Sequence, residues 1–181
     1  MDKEQLRKFM NMGIWGAVLI IFFGSAWHFA YNWSGKNALI GLISPVNESV
    51  WEHMKLSIIP FALFGIADYL FLRDKKSKNF FLSHVSMQIA CIVFIIAFFY
   101  IYNVFTAGSL FWDILSYILG IVLGRYIFYI MIKKHVHFRY SEIVASLLLA
   151  ALGIFVIVAT YNPPHKELFK DSQTGEYGIG M

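Results

Sequence analysis

The residues best equipped for chemistry lie in one stretch, Ser44-Pro-Val-Asn-Glu-Ser-Val-Trp-Glu-His-Met-Lys55, immediately ahead of an apolar run. Glu48, Glu52 and His53 bring two carboxylates and an imidazole, the groups that act as general bases and hard or borderline metal ligands. Lys55 adds an ammonium. Ser44 suits an N-cap and Pro45 the first helical position, where no N–H is needed. A helix from that point puts Glu48, Glu52 and Lys55 on one stripe at 100° per residue, with Ser49, His53 and Ser57 beside it. Val50, Trp51, Met54 and Ile58 take the opposite, apolar side. Both glutamates then fall in the first turns, where the helix dipole favours negative charge. Pro60 leaves the Leu56 carbonyl without its helical donor, which predicts a kink or a substitute partner there.

A second imidazole, His28, ends the preceding apolar run at a matching depth. The catalytic candidates are therefore Glu48, Glu52 and His53. The binding candidates are His28, Lys55, Asp113 and His165. His28 and His53 are the candidate ligands of a divalent metal, the cofactor this donor set would take. No His-Glu-x-x-His or Cys-x-x-Cys motif is present, so any ligand set has to be assembled between helices. The bland alternative is a solvated helix mouth in which Glu52 and Lys55 simply pair.

The elements that must position these groups are membrane spans. The 181 residues are 59% hydrophobic and only 14% charged, with mean hydropathy +0.62. A soluble domain carries about 25% charged residues. Five apolar runs are long enough to cross a hydrocarbon core of about 30 Å. They cover residues 12–31, 46–72, 79–102, 109–132 and 142–161, with residues 162–181 as an extramembrane tail. Residues 38–43 are too few to cross and read as an interfacial or re-entrant turn. The fold class is an all-α, polytopic helical bundle. Lysine and arginine counts give ten on one side and three on the other, which places the N-terminus inside and the C-terminus outside. Trp27, Trp33, Trp51 and Trp112 then form an outer aromatic belt. The pI near 9.1 reflects basic helix ends and gives no case for nucleic acid as a partner.

Several polar residues read as structural. Asp68 and Arg125 are an expected ion pair between the second and fourth spans. His84 and Gln88 share a face of the third span with Cys91 and suit interhelical hydrogen bonds. Gly120 and Gly124 allow a close neighbour, as do Ala145, Ser146, Ala150 and Gly153 on the last span. His135 and His137 lie in a basic loop. In the tail, Leu168, Phe169, Tyr177 and Ile179 are more apolar than a disordered terminus requires, so a fold back over the outer mouth is expected.

Val46-Asn-Glu-Ser-Val-Trp-Glu-His-Met-Lys55, the His28…Trp33-Ser-Gly approach and the Asn162-Pro-Pro-His…Leu-Phe-Lys-Asp…Thr-Gly-Glu-Tyr-Gly-Ile179 tail together resemble a family of small, uncharacterised bacterial membrane proteins. That resemblance spans nearly the whole chain. It implies a multi-pass protein of the bacterial cytoplasmic membrane, and no activity. A looser similarity is to membrane hydrolases of the alkaline-ceramidase kind, which hold a metal among their spans. Three function classes follow. The first is a membrane-embedded, metal-assisted hydrolase of a lipid or amphiphile. The second is a small transporter or ligand-capture subunit, which would need self-association or a partner. The third is an accessory protein whose polar groups only join helices.

Overall fold

The computed structural model describes residues 2–73, 79–106 and 109–179. The helices are α1 (Lys3–Trp27), α2 (Ala30–Trp33), α3 (Ala38–Gly41), α4 (Val50–Leu72), α5 (Phe80–Asn103), α6 (Leu110–Lys134) and α7 (Ser141–Tyr161). A 3₁₀ turn, Glu167–Phe169, follows in the tail. Five of these helices are long and apolar enough to cross a membrane, as expected of a multi-pass membrane protein. Their outward surfaces stay apolar: Ile143, Leu147 and Ile154 on α7 are all more than half exposed. In water such a surface would be untenable, whereas lipid tails cover it at no cost. Lys75, Lys76 and Lys78, three of the ten residues behind the expected orientation, lie outside the described residues.

The helix starts differ from the sequence reading in two places. Asp2 caps α1 through a capping box with Gln5, so the first helix begins at Lys3, well ahead of residue 12. The second span begins at Val50 with Ser49 as N-cap, its side chain accepting from the Glu52 N–H at 3.2 Å. Ser44 does not cap it. Its hydroxyl is buried, donating to the Trp27 carbonyl and accepting from the Tyr31 N–H. Residues 45–49 are therefore an irregular loop, and Glu48 is not on the α4 stripe with Glu52 and Lys55. α3, a single helical turn, falls within residues 38–43, too short to cross a membrane.

Packing follows the small residues. Gly120 and Gly124 of α6 lie against Cys91, Ile95 and Met87 of α5, where a Cβ would come within 3.0 Å of a neighbour. The α7 face is less used than expected: Ala145 is buried, but nothing lies within 4 Å of a Cβ at Gly153, and Ala150 is exposed. Trp51 is not in an aromatic belt. It is 5% exposed and packs on Phe155 and Phe169.

Polar groups close the interior. Arg125 pairs with Asp68 through two contacts of 2.5 and 3.1 Å, both side chains buried. Gly13 and Gly16 of α1 make the room, since the guanidinium lies 3.3 Å from a Cβ at Gly16. The His84 Nε2 lies 3.0 Å from the Phe61 carbonyl, and the Gln88 amide donates to the Ile58 carbonyl, both joining α5 to α4. Pro60 does free the Leu56 carbonyl, and the Tyr117 hydroxyl of α6 sits 3.2 Å from it and 3.1 Å from the Ile20 carbonyl. Gly24 is required at that junction, because a Cβ there would overlap the phenol oxygen. Glu142 of α7 accepts from the Phe81 and Leu82 N–H groups and so caps α5 from outside.

Candidate metal centre

Three segments converge at the end of the bundle where α1 stops and α4 starts. His28 sits at the C-cap of α1, Glu48 in the 45–49 loop, and His53 in the first turn of α4. Their ligand atoms form a compact triangle. The two Nε2 atoms are 3.1 Å apart, and the Glu48 Oε2 lies 3.5 Å from His28 and 3.3 Å from His53. The rings stack at 5.1 Å with an interplanar angle of 29°. All three side chains are part-buried, with 23%, 34% and 37% exposure for His28, Glu48 and His53. A ligand can therefore reach the triangle.

The triangle has the size of a metal site. Ligands held about 2.0–2.1 Å from a tetrahedral ion stand roughly 3.3–3.4 Å from each other. The tautomer is right as well. His53 Nδ1 is 2.9 Å from the Ser49 carbonyl, which can only accept, so the ring proton is on Nδ1 and Nε2 presents its lone pair. His28 then supplies the proton between the two Nε2 atoms. Its Nδ1 is buried and finds no partner among the described residues. A hydrogen bond from His28 is the main effect holding the Glu48 carboxyl below the usual carboxylate range, against the opposing effect of burial.

The other candidates take other places. Glu52 turns away from the triangle. It is 1% exposed, accepts from the Val46 N–H at 2.9 Å and pairs with Lys55 at 2.7 Å. Lys55 is fully buried and also donates to the Gly41 carbonyl at 2.8 Å and to the Thr160 hydroxyl at 2.6 Å. The pair ties α3, α4 and α7 together, and neither charge is open to a ligand. Asp113 is exposed at the start of α6, accepts from the Tyr102 hydroxyl, and is one of the acidic groups acting electrostatically on His53. His165 stacks on Tyr177 at 4.6 Å and does not join the triangle. Asn47 and Ser172 are neighbours of the site not foreseen above: Asn47 donates to the Gly178 carbonyl, and Ser172 donates to the Glu48 carbonyl at 3.1 Å. Their link spans more than 120 residues, and no local pattern marks it.

Residues 1–179 match one family model. The chain belongs to DUF6512, a family of unknown function. No curated protein matches the chain, and no solved structure does. The membership agrees with the resemblance read from the motifs at 46–55 and 162–179. It brings no activity with it, so function has to be reasoned from the triangle itself.

Proposed function

We propose that His28, Glu48 and His53 bind a divalent metal of the zinc type, and that the protein is a membrane-embedded, metal-assisted hydrolase. The observation carrying this reading is the triangle of Nε2, Nε2 and Oε2 atoms with edges of 3.1, 3.3 and 3.5 Å. Two imidazoles and one carboxylate are a ligand set of catalytic rather than structural zinc sites, because three protein ligands leave a position for water or substrate. A metal there would polarise a carbonyl or lower the pKa of a bound water toward neutrality. Among the described residues only His28, Glu48 and His53 form such a group.

An amphiphile is the substrate class that suits the surroundings. Phe29 and Trp33 are exposed, Phe29 packing edge-on against the His28 ring at 4.9 Å and Trp33 stacking on Phe29 at 5.7 Å. Aromatic side chains of this kind sit at headgroup depth in a bilayer. With the N-terminus inside, as the basic residues argue, the centre faces the outer side of a bacterial cytoplasmic membrane. Glu48 is a ligand in this reading and Glu52 is committed to Lys55, so neither is free to act as a general base.

The test is metal content and affinity. The protein is purified in detergent without added metal and titrated with Zn(II) by calorimetry. One ion per chain is expected, and His28→Ala and His53→Ala should each weaken binding by at least about tenfold while the chain stays folded. Equal affinity in the wild type and both variants would refute the centre. Binding should tighten as pH rises, because the ion displaces the proton held between the two Nε2 atoms.

A further inference from the structure

Glu48 is the one ligand not carried by a helix or a helix cap. An irregular loop holds a ligand only if something fixes its backbone, and the tail does so. Residues 167–179 fold back as a unit. Asp171 takes the Gln173 N–H and the Thr174 hydroxyl on its carboxylate, and its backbone N–H bonds the Glu176 carbonyl. Lys170 and Tyr177 pair as an antiparallel bridge. Phe169 is 7% exposed beneath this turn and packs on Trp51 at 5.3 Å. The Ile179 N–H bonds the Thr160 carbonyl at 3.0 Å. Gly178 adopts φ +66°, and a Cβ there would lie 2.8 Å from the Thr160 carbonyl oxygen, so glycine alone fits.

This folded tail grips the loop at the residue before the ligand and at the ligand's own backbone. Asn47 donates to the Gly178 carbonyl at 2.9 Å while its own side-chain oxygen accepts from the Ser49 N–H at 3.0 Å. Ser172 donates to the carbonyl of Glu48 itself at 3.1 Å. We infer that the tail is a clamp on the metal centre. Asn47 and Ser172 are positioning residues that hold Glu48 in ligating register, so metal binding and tail docking strengthen each other. This inference rests on the metal reading above. The coupling is reciprocal by thermodynamic necessity: the factor by which docking raises metal affinity is the factor by which metal favours docking.

The experiment uses the full chain in detergent with Zn(II) as the only added ligand. Calorimetry gives affinity, and limited trypsin digestion after Lys166 and Lys170 gives the opening of the tail. Ser172→Ala removes one grip, and Gly178→Ala undocks the tail through its backbone. Both should bind Zn(II) about 10–100-fold more weakly, the range seen for groups that orient metal ligands. Ser172→Thr keeps the hydroxyl and should restore most of the affinity. Zn(II) should slow tail cleavage in the wild type by a factor matching the loss of affinity in Gly178→Ala. A variant whose tail is cleaved faster yet binds Zn(II) with wild-type affinity would overturn the clamp. So would a cleavage rate indifferent to Zn(II) in a wild type that binds it. A wild type that binds no Zn(II) would overturn the metal reading and the clamp with it.

Discussion

Replacing Lys55 by methionine is the sharpest perturbation of the fold beneath the centre. The stem of the side chain is kept in shape, and only the ammonium is removed. The ammonium donates to Glu52 at 2.7 Å, to the Gly41 carbonyl at 2.8 Å and to the Thr160 hydroxyl at 2.6 Å. The Thr160 hydroxyl keeps its own donation to the Val156 carbonyl, so its loss is small. The larger loss falls on Glu52. Its carboxylate would keep only the Val46 N–H, and its Oε1 is already without a partner among the described residues. An ion left buried without its counter-ion typically costs about 3–5 kcal/mol. Against a whole stability of roughly 5–15 kcal/mol, that is about a fifth or more of what holds the chain folded. Thermal unfolding in detergent, followed by tryptophan fluorescence, measures the effect. Lys55→Met should lower the midpoint steeply, and Glu52→Gln should do so too. The double variant should be much closer to wild type than the sum, because it leaves no unpaired charge. A single change costing less than about 1 kcal/mol, the scale of an exposed ion pair, would show that the pair is hydrated and the keystone reading wrong.

Two further outcomes are expected. Asp68→Asn and Arg125→Gln should each destabilise by about 3–5 kcal/mol, with a double variant far from additive; strict additivity in the same melting assay would deny the pairing. Glu48 is held below its ordinary carboxylate range, so it is ionised in the folded chain while the unfolded chain takes up a proton. Its contribution to stability is complete above the unfolded value near 4.5 and is lost as pH falls below that value toward the folded one. Melting midpoints between neutral pH and pH 3 should therefore fall less steeply in Glu48→Gln than in wild type, and parallel curves would refute the hydrogen-bonded carboxylate.

Much of this molecule was legible as sequence because membranes impose few solutions. Uninterrupted apolar runs have to become helices, and all five expected spans appear as helices. Asp68 and Arg125 meet as expected because an isolated charge has nowhere else to go in such a bundle. The convergence of His28 and His53 was legible from depth alone, since both lie at helix ends on the same side. The division of labour between the two glutamates was not. Ser44 and Ser49 are both good caps by type, and the choice between them turns on tertiary contacts: Ser44 is consumed by Trp27 and Tyr31. Starting the helix five residues later frees Glu48 to swing toward the histidines, while Glu52 stays on the helix and faces Lys55. The grip of the tail on that loop was likewise out of reach, because Ser172 and Glu48 are joined only by the closed fold.

The Asp68–Arg125 pair also dictates an order of assembly. The chain enters the membrane from its N-terminus, so Asp68 on α4 arrives two long helices before Arg125 on α6. Until α6 emerges, α4 carries an unsatisfied carboxylate, and the notch cut by Gly13 and Gly16 in α1 has nothing to receive. The Leu56 carbonyl waits for Tyr117 in the same way. Tyr117 and Arg125 add the last ties between α1 and α4, and the loop bearing Glu48 is gripped only after Ser172 and Gly178 have been made. The loop bearing Glu48 is closed late, and a chain released before residues 172–178 would leave Glu48 loosely held beside His28 and His53.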